Sequence, residues 1–193
     1  TMSGRTSKPT VGALRETAAS SFVPVVLTRL AWALFVASLV ALVARTRLDG
    51  AWEVAGWVAV DGLTVLLWVV VTFFSGVVHS YSRRYMAGNA RETRFFVGVF
   101  GFTVVVMGLV AADHVALFAA LWLAMGLVMA ELIGTVDGWK QAGAAASVAR
   151  RYFLASSAPL AGALTPLSLT TGEPTVSAIA AAAARPPRPR SPP

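Results

Sequence analysis

Five ionisable residues lie in or at the edge of long apolar stretches: Asp61, His79, Asp113, His114 and Glu131. A charged group at the bilayer centre costs about 2.5–3.5 kcal/mol on insertion scales, so such residues are candidates for a proton or ion pathway. Each also has a plainer reading. Asp61 opens an apolar run, where an Asp caps free helix amides. Asp113 and His114 alone separate two apolar runs, so Asp113 reads as turn chemistry, capping the next helix, and His114 as a side chain resting at the headgroups. Glu131, in AMGLVMAELIG, falls near the end of its run. It can relay protons or contact a substrate there, or snorkel as an interfacial acid paired with Lys140 or Arg150. His79 closes a run together with Arg83 and Arg84.

Other chemistries lack their residues. The chain contains no cysteine and two histidines, which removes disulfides, thiolate metal sites, a cysteine nucleophile and an all-histidine metal centre. No phosphate loop, nucleotide fingerprint or Ser-His-Asp set is present. A self-contained catalytic site, a metal and a cofactor are therefore not expected.

The elements that must position these residues are set by the solvent. Of 193 residues, 56% are hydrophobic and 13% charged, whereas a soluble domain carries about 25% charged residues. The net charge of +7 is spread over tails and connections between apolar runs, which argues for membrane topology and against nucleic acid. The segment DGLTVLLWVVVTFFSGVVHSYSRRYM is the clearest span, an uncharged run opened by Asp61 and closed by basic residues.

The predicted class is all-α, an integral membrane bundle of four to five transmembrane helices. Residues 1–21 read as a cytoplasmic tail, without the pattern of a cleaved signal. Residues 22–169 read as the helical domain, with spans at about 23–44, 62–81, 95–112, 115–134 and 152–169. Pro24 is tolerable in a first helical turn, and Arg29 is near enough to the end of its span to snorkel. Val54 to Val60 can begin the second span or lie in the interface, as Trp52 and Trp57 favour. Pro159 and Pro166 should kink or interrupt the fifth run. Gly98, Gly101 and Gly108 should let another helix approach the third span. Residues 170–193, rich in Ala, Pro and Arg, read as disordered.

Counting Lys and Arg by side places the N-terminus inside. Arg83, Arg84, Arg91, Arg94, Arg150 and Arg151 then fall on the cytoplasmic face, and only Arg45 and Arg47 in the internal loops opposite. The expected location is the cell membrane, multi-pass.

Several blocks occur in order between Asp61 and Ser157: Asp61-Gly62-Leu63, His79 to Met86 with Tyr81 and Tyr85, Arg94-Phe95-Phe96, and Asp113 leading to Trp122. Together they resemble the antiporter-like membrane subunits of NADH-quinone oxidoreductase (complex I, L-type) and of Mrp A-type antiporters. The resemblance implies a subunit of a proton- or cation-translocating complex, with buried Glu and Lys relays and other membrane subunits as partners. At most it implies one subunit of an enzyme. In that family a key glutamate follows the tryptophan matching Trp122, and here Leu123 occupies the place. The membrane subunit of the two-component inorganic-carbon accumulation system resembles this family and lacks that glutamate. It implies a cytoplasmic zinc-binding, carbonic-anhydrase-like partner and a role in energising bicarbonate uptake. The competing expectation is a truncated, non-conducting remnant or a structural subunit. On the family's pattern the chain is an N-terminal portion without the usual leading helix, and its tail reads as a shifted frame.

Overall fold

A computed structural model describes residues 11–47, 52–54, 56–135, 140–172 and 174–184. Its elements in chain order are α1 (Val11–Arg45), β1 (Trp52–Val54), β2 (Val58–Val60), α2 (Gly62–Tyr85), α3 (Glu92–Ala111), α4 (Val115–Ile133), α5 (Lys140–Thr171) and α6 (Val176–Ala183). Consecutive long helices pack on one another, and α1 also meets α3. Five helices are long and apolar enough to cross a membrane: Phe22–Arg45, Gly62–Tyr85, Glu92–Ala111, Val115–Ile133 and Gln141–Thr171.

The distribution of side chains is that of a bundle in lipid. Phe22, Val36, Val40, Phe73, Phe74, Val97 and Val104 face outward, while Thr28, Ser38, Thr64, Thr72, Ser75, His79, Ser82 and Thr103 are buried. Hydrocarbon chains solvate Leu, Val and Phe as well as a protein interior does, so burial goes to the small and polar residues that gain contacts or hydrogen bonds from a neighbouring helix. The chain is an all-α, multi-pass membrane protein.

Four expectations about local structure change. The stretch before α2 forms an antiparallel hairpin, with Trp52 opposite Val60 and Val54 opposite Val58. Gly56 turns it in the left-handed region at φ 69°, a conformation nearly free for a residue without Cβ. The hairpin does not begin the second span, which starts at Gly62; Trp57 O accepts from Asp113 N at 3.0 Å and His114 N at 3.2 Å, tying the hairpin to the turn between α3 and α4. Pro24 is not in a first turn, since α1 begins at Val11 and runs through it.

The fifth span is one continuous helix from Lys140, with both Pro159 and Pro166 inside. Ser157 Oγ donates to Phe153 O at 2.7 Å and Thr165 Oγ1 to Ala161 O at 2.8 Å, one turn back along the helix near each proline. The segment from residue 170 is not wholly disordered, because α5 continues to Thr171 and α6 follows; residues 185–193 lie outside the described residues. Of the three glycines on α3, Gly98 and Gly108 do receive the next helix: a Cβ there would lie 2.8 Å from Leu132 Cδ2 and 3.3 Å from Leu121 Cδ1 respectively, whereas Gly101 faces open space.

Candidate functional site

A polar lane runs along α2 where it meets α3. Val65, Trp68, Thr72, Ser75, His79, Ser82 and Met86 recur at alternating steps of three and four residues, the seam that keeps one helical face against a partner. Every member except the part-buried Trp68 is buried. Trp68 Nε1 donates to Met107 O at 2.8 Å, fixing the lane to α3 near one end.

His79 is the ionisable member, with 1% of its surface exposed. Its Nδ1 lies 2.8 Å from Ser75 O and 3.4 Å from Ser75 Oγ. A carbonyl can only accept, so the neutral ring carries its proton on Nδ1, and Nε2 presents a lone pair. Nε2 is buried and makes no hydrogen bond among the described residues. The rings of Phe96 and Phe100 stand edge-on to the imidazole, with centroids 5.5 and 6.2 Å away.

Thr103 Oγ1 extends the lane. It lies 2.7 Å from Ser75 Oγ and 2.9 Å from Val99 O. A hydroxyl has one proton, so Thr103 donates either to Ser75 or to Val99, and in the second state Ser75 can donate back. His79, Ser75 and Thr103 therefore form a short series of exchangeable protons between two helices.

The other candidates sit at the ends of the bundle. Asp61 caps α2, accepting from Thr64 N at 2.7 Å and Thr64 Oγ1 at 2.8 Å. These hydrogen bonds hold its carboxyl below the usual carboxylate range, with the Arg45 charge adding a smaller effect in the same direction. His114, not Asp113, caps α4, its Nδ1 accepting from Ala116 N at 3.2 Å while its ring stacks on Trp57 at 4.1 Å. Asp113 instead caps α6, taking Ser177 N on Oδ1 at 2.9 Å and Ser177 Oγ on Oδ2 at 2.7 Å. The sequence reading missed this because Ser177 is remote in the chain and fell in a segment read as disordered.

At the opposite end Glu131 bonds Arg94 and lies 3.4 Å from Arg150, tying α4 to both α3 and α5. Its side chain is 46% exposed. Arg150 was an anticipated partner and Arg94 was not, while the Lys140 side chain lies outside the described residues. Arg91 Nη1 donates to Gly134 O at 3.2 Å, covering the C-terminal end of α4, and Arg83, Arg84 and Arg151 are exposed. Leu123 follows Trp122 on α4; both are half-buried, and no carboxylate stands at that level of α4. Among the described residues no group of three or more His, Asp or Glu side chains could hold a metal ion.

Thus the structure brings His79 together with Ser75 and Thr103, and separates it from Asp61, Asp113, His114 and Glu131. The two hydroxyl residues could have been found from the three-and-four spacing of the small polar residues in an otherwise apolar run.

Residues 53–96, from the hairpin to the first turns of α3, match the family described as NADH-ubiquinone oxidoreductase (complex I), chain 5 N-terminus. The chain is 39% identical over 75 residues to NADH-quinone oxidoreductase subunit L of Rickettsia typhi, covering 39% of this chain and 12% of that subunit. It is 30% identical over 95 residues to F(420)H(2) dehydrogenase subunit L of Methanosarcina mazei, covering 49% of this chain and 14% of that subunit. Against NADH-ubiquinone oxidoreductase chain 5 of Chondrus crispus the identity is 35% over 85 residues, covering 44% and 13%. The chain thus spans a small fraction of the length of the curated relatives it matches. The matched region, residues 53–96, contains the capping Asp61 and the whole of the α2 lane.

Proposed function

We propose that the chain is a membrane subunit of a proton- or cation-translocating assembly of the antiporter-like type, inserted with its N-terminus in the cytoplasm. The observation that carries this reading is the His79–Ser75–Thr103 series, buried between two membrane helices, with His79 and Ser75 inside the region similar to those subunits. In this role His79 Nε2 accepts a proton and Nδ1 releases one towards the hydroxyls, while Asp61 and the Asp113–His114 pair hold one end of the helices in register. Arg83, Arg84, Arg91, Arg94, Arg150 and Arg151 fix the cytoplasmic side.

The assembly supplies what α4 lacks. Leu123 cannot titrate, so the proton must pass onward through groups of neighbouring membrane subunits. That same residue favours, within the family, the inorganic-carbon branch with a cytoplasmic zinc-binding, carbonic-anhydrase-like partner.

Affinity purification of the full chain from its native membrane in mild detergent tests the proposal. Co-purification with membrane subunits of a quinone-reducing complex, or with a large soluble zinc protein, supports the translocating role and tells the two branches apart. A chain recovered alone, without proton flux in its membrane, overturns it.

A further inference from the structure

The outer face of α1 and α2 carries a groove of about 710 Å³ lined by Trp32, Val77, Ser80, Tyr81, Arg84 and Tyr85. Its floor is built by a close approach. The Trp32 indole lies on Gly76, where a Cβ would come within 3.0 Å of the ring, and its Nε1 donates to Ser80 Oγ at 2.9 Å. Ser80 Oγ in turn donates to Gly76 O at 2.8 Å, so the polar atoms of the floor are mutually satisfied and the remaining surface is apolar. Tyr81 and Tyr85 stack with ring centroids 6.3 Å apart along one wall.

Arg84 stands at the mouth, in the last turn of α2 and so at the depth where a membrane helix meets the headgroups. It is exposed and makes no ion pair among the described residues. Of the acids at this end of the bundle, Glu131 is held by Arg94 and Arg150, and Glu92, in the first turn of α3, makes no ion pair with Arg84. Arg29 is also exposed and lies within one turn of Trp32, on the side towards the same end. An apolar trough running down into the hydrocarbon, closed at headgroup level by uncompensated guanidinium charge and flanked by tyrosine hydroxyls, complements one molecule: an acyl chain joined to a phosphate.

We infer that this groove binds an anionic phospholipid, with its phosphate on Arg84 and one acyl chain along Trp32 and Val77. The inference rests on membrane insertion alone and is independent of whether the chain conducts.

Native mass spectrometry tests it on the full chain, taken from its membrane in mild detergent with its partners and titrated with phosphatidylglycerol or phosphatidylcholine. The wild-type protein should retain phosphatidylglycerol preferentially. Arg84→Gln should reduce that preference by about fivefold, the weight of one basic residue beside an anionic surface. Arg84→Lys should keep most of it, and Arg83→Gln, outside the groove, should leave it unchanged. Equal preference in the wild type and Arg84→Gln, with both proteins melting alike, would overturn the assignment. Displacement of the lipid by inorganic phosphate would overturn it in favour of a free-anion site. Because the chain has no native cysteine, Tyr81→Cys provides a unique thiol in the wall; its cross-linking to another subunit in the assembly would show a protein surface there instead of lipid.

Discussion

Thr103 Oγ1 lies 2.7 Å from Ser75 Oγ, a hydroxyl pair buried between α3 and α2 and one turn of α2 from His79. Interhelical hydrogen bonds in membranes average about 0.6 kcal/mol and reach about 1.7 kcal/mol. Thr103→Val and Ser75→Ala should each destabilise the bundle within that range. The double variant should lose less than the sum, which a double-mutant cycle in detergent would measure. Strict additivity would mean that the two hydroxyls do not interact.

At the other end of α2, Asp61 holds the free amide of Thr64, so Asp61→Ala should cost about 1 kcal/mol, the usual worth of an N-cap. The Thr64 hydrogen bonds lower the native pKa below the ordinary value of 3.8. The folded state therefore favours the carboxylate. This contribution is complete above the unfolded value and is lost as pH falls through the lowered native one. Thermal melts of wild type and Asp61→Asn should differ at neutral pH and converge in acid; a gap that widens in acid would contradict the cap.

Asp113 anchors α6 through both of its oxygens, although Ser177 is distant in sequence. Removing the carboxylate by Asp113→Ala should loosen residues 176–183, which the backbone bond from Val176 N to Asp113 O still tethers, while leaving α3 and α4 in place, because His114 is the residue that caps α4. Amide hydrogen exchange should show faster exchange confined to α6. Unchanged protection there would mean that other contacts hold this helix.

A contrast between two glycines tests the packing. A Cβ at Gly126 would lie 2.5 Å from Phe153 Cδ1 and Cγ, but one at Gly101 meets nothing within 4 Å. Gly126→Ala should overpack the contact between α4 and α5 at a cost of about 1–3 kcal/mol, whereas Gly101→Ala should be neutral or slightly stabilising. Denaturation of the two variants side by side checks this, and equal stabilities would refute the α4–α5 contact.

These relationships differ in how far the sequence discloses them. Hydropathy places the spans, because an unbroken apolar run such as Leu63 to Val78 has few other solutions in water or in lipid. The lane at Thr72, Ser75, His79 and Ser82 was also accessible, as a period in the small polar residues, although His79 first attracts notice for its charge alone. The hairpin at Trp52–Val60 was not, since a short apolar stretch beside a span has the composition of the span itself. Nor was the hold of Asp113 on α6, which depends on that helix folding back onto the turn. Glu131 shows the same limit: Arg150 was foreseeable as a partner, but Arg94 reaches it only through the packing of α3 on α4.

Whether protons pass by way of His79 is read from substrate-driven acidification of inverted membrane vesicles containing the intact assembly. His79→Asn retains a polar side chain but cannot be protonated. This variant should assemble at wild-type levels, keep electron transfer or partner turnover, and lose most of its proton translocation per turnover. Full translocation by His79→Asn vesicles would contradict passage through His79.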